Sequence, residues 1–314
     1  MILVMGATGH VGSKVVTHLL ENAQQVRCVA RKFPNKTLFA GAELAPGDAN
    51  NVSFLADAMR GCNVVLTMIP SDVRTPDPRY YQNKMGEVIA EAIEEACIKK
   101  VVNLSSVGAD LEAQTGPVLG LHDQEERLNA VTRAEIIHLR PTYYMENLLQ
   151  GIPAIIKTNN FFGTIPADKP VSMVATIDVA ARAAHWLMNP SFHGRSVEYI
   201  LGERDVTFAE VVRVVAETIK KPELDYLEVP HEEMRRLLTE SGMSEGWAKA
   251  FNDLNESIAN GVFAGTIQRS QINTSSTSLE DFVRTEFVSA YMEATKSLGI
   301  RPKNSRSSEN QARP

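Results

Sequence analysis

The sequence has 314 residues, of which 44% are apolar and 22% are charged, as is ordinary for a globular protein. This composition excludes a disordered or collagen-like chain, and no apolar run reaches the ~18 residues that a transmembrane helix needs. The formal net charge of −6 argues against a broad nucleic-acid-binding surface. The N-terminus does not read as a secretory signal, and Cys28, Cys62 and Cys97 are too far apart for a metal-binding motif. We therefore expect a cytoplasmic protein with reduced thiols, no bound metal, and no direct contact with nucleic acid or membrane.

The first 150 residues alternate short apolar runs with amphipathic runs of helical period. Strands are predicted at residues 2–4, 25–30, 42–45, 64–68, 101–104 and 135–139. Helices are predicted at residues 13–21, 51–60, 79–97 and 121–133, and Asn51 is the predicted cap of the second helix. This alternation favours a parallel sheet covered by helices on both faces.

The pattern changes after about residue 150. Helices are predicted at residues 145–157, 178–188, 208–219, 231–241 and 279–298, with short strands near 161–165 and 197–201. We expect a first domain at residues 1–150 and a smaller, mixed α+β lobe at residues 151–300 that interleaves with the sheet. The polar tail at residues 301–314 is predicted to be disordered, with a basic docking tail as the alternative.

A glycine-rich turn, GATGHVG, lies between the first predicted strand and the first predicted helix. Its first glycine permits a tight turn, its second lets the backbone approach a pyrophosphate, and its third lets the helix pack close to the strand. The N–H groups at the start of the helix then face the phosphate, aided by the helix dipole. The predicted cofactor-binding loop comprises Gly6, Thr8, Gly9, His10, Val11 and Gly12. An ordinary tight turn is the alternative interpretation.

The glycine spacing is G-x-x-G-x-x-G, which resembles the extended and atypical short-chain dehydrogenases/reductases more than G-x-G-x-x-G proteins. The resemblance continues over roughly residues 1–230 and is closest to NmrA-like proteins. It is carried by PGDANNVSFLADAMRGCNVV at 46–65, VVNLSSVGA at 101–109, HLRPTYYMENLL at 138–149, TIDVAARAAHWL at 176–187 and YILGERDVTFAEVV at 199–212. The resemblance implies a Rossmann-type, doubly wound parallel sheet followed by the smaller lobe. It also implies that Asp48 contacts the adenine ring and that Pro141 lies at the cofactor.

The end of the second predicted strand favours NADP(H) over NAD(H). Sheets that prefer NAD place an acid there, roughly 20 residues beyond the glycines, to bind the ribose 2′-hydroxyl. Here the sequence reads VRCVARKF, and no acidic residue lies between Glu21 and Glu43. Arg31 and Lys32 stand at that position, where a guanidinium can bind a 2′-phosphate with two hydrogen bonds. NADPH is the expected cofactor, and a solvated pair of surface charges is the alternative.

A Tyr-x-x-x-Lys string at Tyr80 and Lys84 imitates the catalytic pair of short-chain dehydrogenases. That pair belongs after the fifth strand, whereas this string precedes it. The helix predicted at residues 121–133, in the expected place, contains neither tyrosine nor lysine. We interpret Tyr80 and Lys84 as an ordinary helix start.

Other side chains remain candidates for the chemistry. The resemblance to NmrA-like quinone reductases puts His122 where the tyrosine would stand, so it can relay a proton near neutral pH; a capping or solvent-facing histidine is the alternative. Tyr143 is the candidate to line the pocket over the nicotinamide, although Tyr144 is open too and both can pack into the core. Ser105, at the end of the fifth strand, is expected to hydrogen-bond the nicotinamide ribose or a substrate oxygen, or else to cap the strand.

Together these features predict an NADP(H)-dependent oxidoreductase that passes hydride to a small planar acceptor such as a quinone or azo compound. A reduced quinone oxygen is weakly basic and can take its proton from water, so the missing tyrosine–lysine pair matters little. The alternative is a non-catalytic NADP(H)-binding redox sensor of the NmrA type that regulates a protein partner. A sugar-nucleotide epimerase is disfavoured by the same missing pair. The sequence leaves the oligomeric state open, with a homodimer among the candidates.

Overall fold

The computed structural model describes residues 1–113, 115–263 and 267–299. Its strands are Ile2–Met5 (β1), Val26–Ala30 (β2), Glu43–Pro46 (β3), Val64–Thr67 (β4), Lys100–Leu104 (β5), Glu135–Pro141 (β6), Tyr143–Tyr144 (β7), Asn160–Gly163 (β8), Val171–Val174 (β9), Arg195–Ile200 (β10), Asp205–Val206 (β11) and Asp225–Glu228 (β12). The predicted disordered tail at residues 301–314 lies outside the described residues.

The α-helices are His10–Glu21 (α1), Val52–Met59 (α2), Pro78–Glu95 (α3), Leu119–Asn129 (α4), Ile152–Thr158 (α5), Thr176–Met188 (α6), Phe208–Ile219 (α7), His231–Glu240 (α8), Glu245–Ala259 (α9), Leu279–Phe282 (α10) and Val288–Ser297 (α11). Asn51 caps α2 as predicted, because its side chain accepts a hydrogen bond from the Phe54 N–H. The single helix predicted over 279–298 is interrupted by a π-helical segment at Val283–Phe287. The predicted helix at 145–157 begins as a 3₁₀ segment, Met145–Gly151.

Seven parallel strands form the main sheet, in the order β10–β6–β5–β4–β1–β2–β3. The strand order reverses between β1 and β4, which is the switch point at which doubly wound sheets bind ligands. The predicted Rossmann-type sheet is therefore confirmed. Strands β1 and β4 are buried along their whole length because helices cover both faces of the sheet.

Two helical layers enclose this sheet. On one face, Val15 of α1 and Ala183 of α6 pack with Val4 of β1 in a single apolar core. On the other face, α2, α3 and α4 contribute a second core, in which Met59 and Ile89 contact the sheet. The layers fix α1 directly behind the glycine turn, so the start of α1 faces the edge formed by the carboxyl ends of the strands.

A second lobe has its own core and two small sheets, β11–β9–β7 and β12–β8. Apolar side chains of α7 and of the C-terminal helical segment meet there, among them Phe208, Val211, Phe282 and Phe287. This bears out a mixed α+β lobe. Helix α9 is an addition that the sequence pattern did not predict.

The chain returns to the main sheet after residue 150. Strand β10 pairs with β6 in parallel from Arg195 opposite Ile136 to Ile200 opposite Pro141, and α6 packs beside α1. Residues on both sides of position 150 thus share one core. The division into two domains at that position stays a prediction. No helix within the described ranges is long and apolar enough to cross a membrane.

Candidate active site

A cavity of about 730 Å³ opens at the carboxyl ends of the main-sheet strands, at the switch point. One wall is the glycine turn. A second wall comes from the residues that end or follow β2 to β5, and a third from Tyr144, the 3₁₀ segment and Thr176. The two lobes therefore both contribute to one cavity.

The glycine turn is shaped as a cradle. Gly6 has φ +61°, in the left-handed region that favours glycine. A Cβ on Gly12 would lie 2.1 Å from the carbonyl oxygen of Gly6, so α1 can begin this close to β1 only with glycine there. No side chain among the described residues caps α1 at Gly9, which leaves N–H groups of its first turn free for an anion. All six residues of the predicted loop, Gly6, Thr8, Gly9, His10, Val11 and Gly12, line the cavity.

Arg31 follows β2 directly and lines the cavity with an exposed side chain. It has no ion-pair partner within the part of the chain that the structure describes, which leaves its guanidinium available to a phosphate. Lys32 is exposed but lies outside the cavity lining. Asp48 lines the cavity, and its carboxylate accepts the backbone and side-chain N–H groups of Asn50 at 3.0 and 3.2 Å.

Ser105 and Pro141 lie behind the cavity wall instead of in it. The Ser105 hydroxyl donates to the buried carboxylate of Glu125. Arg140 binds the same carboxylate with two hydrogen bonds, Nε to Oε1 at 3.0 Å and Nη2 to Oε2 at 2.6 Å. The Pro141 carbonyl accepts the Val107 N–H at 2.9 Å. Both predicted residues therefore hold the ends of β5 and β6 in place, and their direct contact with a cofactor stays a prediction.

The two predicted catalytic side chains also lie outside the lining. His122, on α4, is half-buried, and its Nδ1 lies 2.9 Å from the carbonyl oxygen of Ala109. Tyr143 packs edge-on against Phe208, with ring centroids 6.2 Å apart, and burial raises the pKa of its hydroxyl to about 12. Tyr144 lines the cavity in its place. The catalytic roles of His122 and Tyr143 stay predictions.

Tyr80 and Lys84 form an exposed pair on the outer face of α3. The Lys84 Nζ binds Glu87 at 2.9 Å and lies 5.9 Å from the centre of the Tyr80 ring. The side chain of Asp77 caps α3 by accepting the Tyr80 N–H. Both residues therefore lie in the first two turns of α3, and the interpretation that they take no part in catalysis stays a prediction.

A buried carboxylate at the cavity was not predicted from the sequence. Glu146 lines the cavity and accepts the backbone N–H of Thr176, with N–O distances of 2.9 and 3.1 Å, as well as the Thr176 hydroxyl. Lys14 of α1 lies 3.2 Å from this carboxylate and 2.7 Å from that of Glu286 in the π-helical segment. A glutamate within the otherwise uncharged run TYYMENLLQG is the signal that could have indicated it.

Tyr81 was likewise not predicted. It stands one residue after the exposed Tyr80 and lines the cavity from the first turn of α3. Burial and the nearby carboxylate of Asp72 raise the pKa of its hydroxyl, and Arg31 opposes them. The side chains of Arg31, Asp72 and Tyr81 thus lie within electrostatic range of one another at one end of the cavity. Met85 lies one helical turn after Tyr81 and lines the same wall. The i, i+4 spacing of Tyr81 and Met85 is the sequence feature that could have indicated that this face of α3 lines the cavity.

The described residues contain no group of three or more His, Cys, Asp or Glu side chains that could hold a metal ion. A glycine cradle, an exposed arginine after β2 and a cavity at the switch point together define a Rossmann-type α/β protein with a site shaped for a dinucleotide. The chain belongs to the NmrA-like family, whose model matches residues 1–283.

Known proteins of similar sequence include reductases. The chain is 29% identical to NAD(P)H azoreductase from Xenophilus azovorans over 258 residues, covering 81% of this chain and 86% of that protein. It is 24% identical to quinone oxidoreductase 2 from Escherichia coli over 268 residues, covering 83% and 89%.

Solved structures show the same fold. The NADPH complex of a quinone oxidoreductase from Escherichia coli superimposes with a TM-score of 0.76 at 22% identity, covering 91% of this chain and all of that one. The NADP(H) complex of Citrobacter sp. triphenylmethane reductase also gives 0.76 at 22% identity, covering 90% and 99%.

Proposed function

We propose that this protein is an NADP(H)-dependent reductase that passes hydride to a small planar acceptor such as a quinone or an azo compound. The observation that carries the proposal is Arg31, whose guanidinium has no ion-pair partner among the described residues and stands on the wall of a cavity that also contains the glycine cradle. The reductases among the similar proteins support the same activity.

The residues at the switch point fit the dinucleotide. The first-turn N–H groups of α1 bind the pyrophosphate, and the lack of a side chain at Gly12 lets α1 begin close against the glycine turn. Arg31 binds the 2′-phosphate, and Asp48 contacts the adenine from the loop after β3. When bound, the nicotinamide supplies the hydride. Ser105 and Pro141 support the cavity wall at the nicotinamide end.

The other end of the cavity suits an uncharged, flat acceptor. Met68, Leu104, Tyr144, Asn147 and Gln150 line the cavity without bringing a formal charge. The charge of Glu146 is balanced by Lys14. A planar acceptor can therefore lie against the nicotinamide without meeting an unpaired charge, and holding the two partners in contact is the main catalytic contribution. The proton comes from water or from His122.

The test is NADPH oxidation by purified protein with a panel of small quinones and azo compounds, followed spectroscopically together with the binding of NADPH and NADH. Turnover with at least one acceptor, with NADPH preferred to NADH, supports the proposal. Tight NADPH binding without turnover on the whole panel would favour a redox sensor. If the protein binds neither NADPH nor NADH, both the reductase and the redox sensor are excluded.

A further inference from the structure

The loop between β4 and α3, residues 68–77, connects the cavity to the second lobe. Its first half lines the cavity through Met68, Ile69, Pro70 and Ser71. Its second half turns away from the cavity and contacts the start of α9. One ten-residue loop thus touches both the dinucleotide-shaped site and a helix of the other lobe.

Hydrogen bonds fasten this loop to α9. The Ser244 backbone N–H donates to the Val73 carbonyl at 2.8 Å, and the Ser244 hydroxyl donates to the Thr75 carbonyl at 2.6 Å. The Trp247 indole Nε1 donates to the Thr75 hydroxyl at 3.0 Å. That hydroxyl in turn donates to the Asp72 carbonyl at 2.9 Å. Because Trp247 is 1% exposed, its N–H would be left unsatisfied if the loop moved away.

Two close backbone approaches fix α9 on this side of the sheet. A Cβ on Gly246 would lie 1.9 Å from the Pro76 carbonyl oxygen. Further along α9, the Ala250 carbonyl oxygen would lie 2.1 Å from a Cβ on Gly116, in the loop between β5 and α4. Side-chain rotation cannot relieve contacts between backbones. Helix α9 therefore fits against both loops in one position only.

We propose that α9 is a strap that holds loop 68–77 in its binding conformation, with Ser244, Trp247 and Thr75 as positioning residues for the dinucleotide. The inference rests on the proposed function, because NADP(H) is the ligand that the cavity is proposed to take. A loop that is already fixed loses less conformational freedom on binding, so the strap raises affinity without touching the ligand.

The binding test compares two substitutions at one position. Thr75→Val keeps the side-chain shape and removes the hydroxyl, whereas Thr75→Ser keeps the hydroxyl. We expect Thr75→Val to raise the Kd for NADPH about 10-fold, equivalent to one lost hydrogen bond with a buried donor. Its KM for NADPH should rise by a larger factor than its kcat falls, and Thr75→Ser should restore most of the affinity. Trp247→Phe, which removes the N–H and keeps an aromatic ring, should behave like Thr75→Val.

A second test measures the mobility of the loop by its rate of proteolysis, first without nucleotide. Trypsin can cut after Arg74, whose side chain is 74% exposed, but only when the backbone around it leaves α9. We expect Thr75→Val and Trp247→Phe to speed cleavage after Arg74 about 10-fold, while cleavage after Arg213 on α7 keeps its rate. Added NADPH should slow cleavage after Arg74 in the wild-type protein.

The outcomes separate the two proposals. If the wild type binds NADPH, but the variants bind it equally well and are cleaved at the wild-type rate, the strap is wrong and the proposed function stands. If the wild type does not bind NADPH, the proposed function is wrong. The proposal that the strap raises NADPH affinity is then wrong too.

Discussion

At the scale of single residues, Arg31 is the side chain proposed to distinguish NADPH from NADH. We expect Arg31→Ala to weaken NADPH binding roughly 10- to 100-fold, as for the loss of a charge-assisted pair of hydrogen bonds. NADH has no 2′-phosphate, so its affinity should change less than threefold. Titration of both nucleotides against the wild type and the variant measures the difference. Lys32→Ala tests the neighbouring prediction: Lys32 is exposed but lies outside the cavity lining, so its substitution should weaken NADPH binding less than Arg31→Ala does. Equal losses for both nucleotides in Arg31→Ala would remove Arg31 from the 2′-phosphate site.

The choice of proton donor is tested by His122. Its Nδ1 faces the Ala109 carbonyl, so Nε2 is the nitrogen that can pass a proton onward, through water. We expect His122→Ala to lower turnover by roughly 10²-fold where proton transfer is rate-limiting. Tyr80→Phe should have little effect, because Tyr80 is 63% exposed on the outer face of α3. Side-by-side kinetics with one active acceptor decide the matter. If neither variant loses activity, hydride transfer proceeds without a side-chain acid.

Single residues also show where sequence reasoning ends. The glycine turn and Arg31 could be predicted because their local patterns are tied to backbone geometry and charge. Tyr143 and Tyr144 could not be told apart. Neighbouring residues of a strand point to opposite sides of the sheet, so the two tyrosines cannot both face the cavity. Which of them does so depends on how β7 pairs with β9. That pairing joins segments 30 residues apart.

At the scale of elements, a buried polar chain crosses three strands of the main sheet. The Thr67 hydroxyl of β4 donates to the side-chain oxygen of Asn103 on β5 at 3.1 Å, and the Asn103 amide lies 3.1 Å from Nδ1 of His138 on β6. The other ring nitrogen of His138 lies 3.0 Å from the Asn129 side-chain oxygen at the end of α4. Nδ1 therefore accepts a hydrogen bond from the Asn103 amide, and Nε2 donates one to the Asn129 oxygen. This assigns a neutral imidazole with its proton on Nε2.

The buried histidine in this row of polar side chains predicts how the stability of the protein depends on pH. Burial lowers the pKa of His138 to about 4, below the unfolded value of ~6.5. The unfolded chain therefore takes up the proton first, so the contribution is fully present above pH 6.5 and is lost as the pH falls towards 4. We expect His138 to account for about 2 kcal/mol of the stability lost between pH 7 and pH 5. Urea unfolding at both values, for wild type and His138→Gln, measures this. The variant should lose less stability than the wild type over that interval.

Elements were predicted best where they pack on the main sheet. Helices α1 and α3 have apolar residues at regular helical spacing because they cover a flat sheet. Helix α9 was missed although Trp247, Phe251, Leu254 and Ile258 recur at helical spacing. Its cap, Ser244, whose hydroxyl accepts the Trp247 N–H, is a second local signal. The helix packs against α8 and the segment before α4 instead of the main sheet, so it falls outside the strand–helix alternation on which the prediction was based.

At the scale of the whole molecule, one cation ties the two lobes together. Lys14 lies on α1, whereas its partners Glu146 and Glu286 lie on segments that pack in the second-lobe core. Removing the cation leaves the Glu146 carboxylate, which is 5% exposed, without a counter-charge. We expect Lys14→Met to lower the free energy of unfolding by about 3 kcal/mol. Glu286→Gln should lower it by less than about 1 kcal/mol, because that side chain is 39% exposed.

Urea unfolding followed by tryptophan fluorescence and by circular dichroism checks this difference. Trp186 of α6 and Trp247 of α9 report on different parts of the structure. Similar losses for the two variants would show that Glu146 does not depend on Lys14. Separate transitions for the two probes in Lys14→Met would show that the lobes unfold independently once the cation is removed.

The way the chain passes between the lobes could be predicted only in outline. Interleaving was expected from short strands and helices after residue 150. The parallel pairing of β10 with β6 was not expected, because contacts across the whole sheet determine which strands pair. The hydrophobic pattern within residues 195–200 does not indicate the partner strand.

That late pairing has a consequence for synthesis. When a ribosome has released the first 150 residues, the chain already contains the glycine turn and six of the seven main-sheet strands, but β6 still presents an open edge that includes Ile136, Ile137 and Leu139. The partner strand is complete only roughly 50 residues later, ~2.5–10 s at common elongation rates. During that interval the nascent chain is a target for chaperones and for edge-to-edge aggregation. A gene fragment ending at residue 150 would leave this edge of β6 permanently open, because its partner strand lies at residues 195–200.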